Sequence, residues 1–210
     1  MAESINKAII HLCFTRGFMP DRELQEHIQT LRGDFDKRSC DRPLADIFRS
    51  MNADLRSFAF EVKSVRIMDD NNEPEMYHGI VNIEEDITAK EHGSPLDAAE
   101  VKYFGRIARQ LLETNSQSSG ELTEPELREK MEMSKAKALL VRLEEMGWLR
   151  RNDNNYIILG VRAHLELHAS FKAMIREYIQ SIEEGDDQDR AGKVSTLTGV
   201  LDELPQQIVY

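Results

Sequence analysis

A chain of 210 residues with 40% hydrophobic and 31% charged residues can hold one large domain or two small ones, each with a core and a well-solvated surface. A protein that lives by phosphate contacts usually carries excess Lys and Arg, and this chain, with a formal net charge of −11, does not. DNA contact is therefore expected to be weak, local or shared with a basic partner. Cys13 and Cys40 are isolated thiols, the usage of a reduced intracellular protein rather than of a disulfide framework. The N-terminal stretch lacks the basic region and small-residue cleavage site of a signal peptide. No apolar run approaches the ~20 residues needed to cross a bilayer, so no membrane association is expected.

In chain order, Ser4 can cap a helix carrying Ile5, Ile9, Leu12 and Phe14 and ending at Gly17. Pro20 and Asp21 open a second helix through Leu24, Ile28 and Leu31. Pro43 opens a third through Leu44, Ile47, Phe48, Met51 and Leu55. Alternation follows: Phe58, Phe60 and Val62 share one parity, while Val65 and Ile67 take the other, which predicts a bulge near Lys63 and Ser64. After an acidic turn, a return strand shows Tyr77, Gly79, Val81 and Ile83. Three helices and a hairpin make the winged-helix order, so residues 1–85 are expected to form one such domain and the polar residues 86–95 a linker.

The order then repeats. Asp97 and Glu100 form a capping box before Val101, Phe104, Ile107, Leu111 and Leu112. Thr123 and Glu126 repeat the box. Ser134 is expected to cap a helix through Leu139, Leu140 and Leu143, stopped by Gly147. Trp148 and Leu149, with residues 156–159, flank the turn 152–155 as a second hairpin. One long helix is then expected from Gly160 to Ile182, closing a second domain over 96–182. Residues 183–190 are acidic and expected to be disordered. A short amphipathic piece, Leu197 to Leu204, leads to an apolar end suggesting that another domain once followed. The expected fold is α+β, mostly α: tandem winged helices followed by a long helix.

Two stretches carry most of a family likeness: DIFRSMNADLRSFAFEVKSV leading to MYHGIVNI, and MGWLRRNDNNYIILGVRAHLEL. The helix start after the linker adds a third. Together they resemble the first non-SMC element subunit of the Smc five/six complex over roughly residues 1–182, with Trp148, Leu149, Gly160, Arg162, Ala163 and Glu166 standing where its pattern expects them. The resemblance implies a MAGE-type partner subunit, a kleisin partner subunit, nuclear localisation and a role in DNA repair and recombination. It also implies a C-terminal variant RING with two zinc ions and ubiquitin-ligase activity. Zinc needs four close N or S donors, and no cysteine follows Cys40, so residues 183–210 are expected to lead toward a RING that is absent, and no cofactor is expected for this chain.

The alternative reading is a tandem winged-helix DNA-binding regulator. Its candidate contacts are Lys135, Lys137 and Arg142 on the third helix of the second domain, and Arg150 and Arg151 at the wing root. Glu144, Glu145, Ala138 and Val141 share that surface and make it mixed rather than cationic. Lys63 and Arg66 on the first wing stand near Asp69 and Asp70. The His164 and His168 pair has chelating spacing but lines up with the apolar face, where packing is the simpler role. Cys13 on an apolar helix face behaves as a small hydrophobe, and no phosphate-cradling glycine loop or nucleophile motif is visible. Trp148 and Gly160 are expected to be structural. Phe171, Met174, Ile175, Tyr178 and Ile182 form a stripe beyond the reach of a short hairpin. At ~1.5–3 kcal/mol for each buried side chain, it is expected to be covered by the first domain or by a partner.

Overall fold

The computed structural model describes residues 5–31, 40–68, 73–83, 96–115, 133–184 and 190–210. The expected turn at 69–72, the linker, the box at Thr123 and Glu126 and most of the acidic run fall outside these residues. The architecture is mixed α+β and mostly α, with small antiparallel sheets. It divides into two units, Met1–Glu84 with Pro205–Tyr210, and Glu85–Leu204.

In the first unit, α1 (Ile5–Arg16) buries Ile5, Ile9 and Cys13 at four-residue spacing. It stops at Gly17, whose φ of 82° is the left-handed conformation glycine tolerates, and whose N–H donates to the Cys13 carbonyl at 2.8 Å. Strand β1 (Phe18–Pro20) leads into α2 (Asp21–Thr30), and Pro43 precedes α3 (Leu44–Leu55). A 3-10 turn, Arg56–Phe58, then delivers the chain to the hairpin β2 (Phe60–Met68) and β3 (Pro74–Asn82). Ile47, Phe48 and Met51 are fully enclosed and fill the core with Ile9, Met19, Leu24 and Val62.

The expected bulge is not formed. Strands β2 and β3 pair residue for residue from Phe60↔Asn82 to Met68↔Pro74. Both parities of β2 are buried, Val62 and Ser64 on one face and Val65 and Ile67 on the other, so no register shift is required to hide them. Phe58 lies before the strand and is 73% exposed. The sheet runs β1–β3–β2–β6, where β6 (Gln207–Val209) comes from the far end of the sequence.

In the second unit, the capping box opens α4 (Ala98–Asn115) with both bonds formed: Glu100 N–H to Asp97 Oδ1 at 2.8 Å and Asp97 N–H to Glu100 Oε2 at 3.0 Å. Helix α5 (Met133–Glu145) begins one residue ahead of the expected cap at Ser134. It ends in a Schellman motif on Gly147, φ 75°, with Trp148 N–H donating to Leu143 O and Gly147 N–H to Glu144 O, both at 2.9 Å. The hairpin β4 (Leu149–Arg151) and β5 (Ile157–Leu159) turns on Asn152, whose Oδ1 accepts from the Asn154 and Tyr156 N–H groups.

The helix expected to run unbroken from Gly160 is two helices, α6 (Val161–Glu166) and α7 (His168–Glu184). Leu167, at φ −107° and ψ 8°, leaves helical geometry between them. The two helices differ in burial. Helix α6 hides Val161, Ala163, His164 and Leu165 nearly all round, whereas α7 hides one face through His168, Phe171, Ile175 and Ile182. Helix α8 (Arg190–Glu203) packs on α7, and its Leu197 and Val200, with Leu204 just beyond it, join Phe171, Ile175 and Ile182 in one core with Phe104, Leu140, Leu143 and Leu149.

Candidate functional site

Fold and sequence both direct attention to the exposed face of α5 and the hairpin behind it. Ala136, Leu139, Leu140 and Leu143 turn inward, which drives Lys135, Lys137, Ala138 and Val141 outward. Val141 is 45% exposed. Arg142 does not project freely: its Nη1 donates to Glu100 Oε1 at 2.7 Å, while the other oxygen of Glu100 holds the start of α4. Arg151 faces Glu144 with two nitrogens, at 2.9 and 3.2 Å, and its third reaches Asn155 Oδ1 at 3.4 Å. Arg150, the other wing-root candidate, is half-buried. Of the five cations expected to meet DNA, two are therefore held by carboxylates, and Lys135 and Lys137 flank an apolar surface. A phosphate at Arg142 or Arg151 would have to compete with those carboxylates.

Trp148 and Gly160 hold this hairpin in place. The indole lies half-buried between Phe104, ring centroids 5.4 Å apart, and the Arg162 guanidinium, whose carbon stands 4.5 Å from the ring centroid. Arg162 is oriented by Glu166 at 2.7 Å. Gly160 N–H donates to Trp148 O at 2.8 Å, which brings the start of α6 against the end of α5.

The apolar stripe of α7 is filled from within the second unit. Phe171 and Ile175 are 1% and 3% exposed, Ile182 is buried, and Met174 packs half-buried on the same core. The sequence reasoning looked for a cover in the first domain or in a partner. The cover is instead the amphipathic piece expected over Leu197 to Leu204, which lies in and just beyond α8 and whose role against α7 the spacing alone did not give. Tyr178 alone of the five remains exposed, at 41%.

His164 and His168 are buried in this core, with the His164 ring edge-on to Phe171 at 6.3 Å. Burial, then the charges of His168 and Arg150, push the His164 pKa down to about 4. Among the described residues no group of three or more His, Cys, Asp or Glu is placed to hold a metal ion. Burial pushes the Cys13 thiol up to about 12, so it is not a thiolate nucleophile.

One constellation had no sequence signal. Ser64 Oγ lies 2.6 Å from His78 Nδ1, and His78 Nε2 lies 2.9 Å from Asp21 Oδ1. Ser64 and His78 face one another across the β2–β3 pair, and Asp21 starts α2. The types are those of a hydrolase triad, yet Ser64 is 0% exposed and His78 2%, so no substrate meets the hydroxyl. The network ties α2 to the hairpin. Burial lowers the His78 pKa against the opposing pull of Asp21.

A family model described as the Nse1 non-SMC component of the SMC5-6 complex matches residues 6–124 and 107–167. No curated protein matches the chain. Among solved structures, a chain of an Nse1-Nse3-Nse4 complex is similar at a TM-score of 0.67 and 16% identity, covering 84% of this chain and 77% of that one. At that identity the likeness is one of fold. No helix among the described residues is long and apolar enough to cross a membrane.

Proposed function

The chain belongs to the Nse1 family of non-SMC components of the SMC5-6 complex, and from that premise we propose that it is a non-catalytic scaffold that docks a MAGE-type subunit and a kleisin subunit. The observation that carries this reading is the α5 face, where Ala138 and Val141 are exposed and Arg142 is held by Glu100. The fold likeness to a chain of an Nse1-Nse3-Nse4 complex supports the choice of partners. We read both helix-and-hairpin units as winged helices turned to protein docking, acting in the nucleus in DNA repair and recombination, with no cofactor held by these residues. Fold alone does not decide between protein and DNA as the ligand of such a surface.

The competing reading, a DNA-binding regulator, draws on exposed Lys135 and Lys137. Duplex DNA titrated into the purified chain separates the two. The scaffold reading expects non-specific binding no tighter than a Kd of about 10⁻⁵ M at physiological salt. Sub-micromolar binding abolished by Arg150→Glu with Arg151→Glu would establish the regulator instead.

A further inference from the structure

The outer edge of β2 is built to receive one extended strand. Three residues pair there in antiparallel register, Lys63↔Val209, Ser64↔Ile208 and Val65↔Gln207, and Arg66 N–H donates to Gln206 O at 3.4 Å. Antiparallel ladders alternate, so a bond at Arg66 puts the next outward-facing pair at Ser64 and Ile208, with Lys63 and Val65 turned toward β3. Continuing one register step beyond Val209 sets Tyr210 opposite Val62. There a side chain replaces the strand. Val62 N–H donates to Asn52 Oδ1 at 2.6 Å, and Asn52 Nδ2 returns a bond to Val62 O at 3.2 Å, the reciprocal pair a strand residue would make. The same Nδ2 donates to the main-chain oxygen of Tyr210 at 3.1 Å, and Arg56 Nη2 reaches that oxygen at 3.2 Å. The Tyr210 ring lies 5.1 Å from that of Phe48, which is fully buried. Asn52 is itself 1% exposed and is thus held fixed at the position where strand pairing on this edge stops.

We propose that this edge, closed by Asn52, Arg56 and Phe48, is a peptide-binding groove for an extended segment that carries an aromatic residue at the position of Tyr210, and that Pro205–Tyr210 fills it in cis as a releasable latch. Recognition rests on main-chain bonds and the aromatic ring, because the side chains of Ile208 and Val209 point largely to solvent, 38% and 50% exposed. Only three residues pair, so the strand is short enough to leave without dismantling the β2–β3 hairpin, whose nine paired positions and own core persist. An extended segment of another chain that offered the same backbone and aromatic anchor would compete for the edge.

The test uses the full chain and a fluorescent synthetic peptide, Leu-Pro-Gln-Gln-Ile-Val-Tyr. Ile208→Pro removes the N–H that faces Ser64 and disables the latch. In anisotropy titrations the variant should bind the peptide about tenfold or more tightly than the unaltered chain, where the cis strand competes at high effective concentration. A peptide with alanine in place of its tyrosine should not bind. Amide exchange in the unaltered chain gives a second reading: Ser64 and Arg66, facing the latch, should exchange faster than Lys63 and Val65, facing β3. A folded variant that ignores the peptide would overturn the proposal. Loss of the first unit's fold in the variant, or equal exchange at the four amides, would overturn it as well.

Discussion

A methyl group built on Gly160 would lie 2.2 Å from the carbonyl oxygen of Gly147, closer than any side-chain carbon can approach. Two main-chain bonds enforce the approach, Gly160 N–H to Trp148 O at 2.8 Å and Arg162 N–H to Gly147 O at 3.1 Å. The blocking atoms are backbone and have no rotamer to yield. Gly160→Ala should therefore lower the stability of the second unit by about 1–3 kcal/mol through overpacking. Urea unfolding followed by far-UV circular dichroism measures it, and an unchanged midpoint would show that the crossing is loose.

Trp148 should behave as a structural residue. Its indole bridges Phe104 and Arg162 at the start of the hairpin. Because the ring is half-buried, Trp148→Ala should fall at the lower end for large aromatic truncations, about 3 kcal/mol, and partner loss should follow from unfolding. An unchanged Tm with lost partner binding would place the indole in the interface instead.

Replacing Phe171 and Ile175 together with Asp should unfold the second unit, since both lie in one core with Leu197 and Val200. Unpaired carboxylates in an apolar interior cost several kcal/mol each. Tyr178→Ala, on the exposed side of α7, should change the unfolding free energy by no more than about 0.5 kcal/mol. A double Asp variant that stays folded and soluble would mean that α8 does not cover the stripe.

Acid should weaken the second unit through His164. Its pKa is held at about 4 in the fold, against an ordinary value of 6.5. The unfolded chain thus takes up a proton first, and the stability this group contributes is present above pH 6.5 and declines as pH falls toward 4. His164→Gln should flatten that decline in unfolding midpoints measured between pH 7.5 and 4.5. An unaltered slope would assign the acid sensitivity elsewhere.

Helix positions were legible where apolar spacing and caps agreed, as at Asp97 and Glu100, or at Gly147 before Trp148. The same local rules misread β2, because alternation assumes one wet face and here Val62 and Val65 are both buried. They missed the break at Leu167, which no proline or glycine marks in the sequence. The docking of β6 on β2 was also hidden, since a pairing between Ser64 and Ile208 leaves no trace in either stretch alone. For the candidate site, the mixed character of the α5 face was readable from Val141, Glu144 and Arg142. Which carboxylate holds which arginine was not, because Glu100 and Arg142 meet only in the folded unit.

The most direct measurement is recovery of the tagged chain from nuclease-treated cell extract, with quantitative mass spectrometry of bound proteins. A MAGE-type subunit and a kleisin subunit are expected at near one-to-one ratios, unaffected by removal of DNA and reduced by Val141→Asp on the exposed α5 face. Recovery of the folded chain without either subunit, or their loss on nuclease treatment, would contradict the scaffold reading.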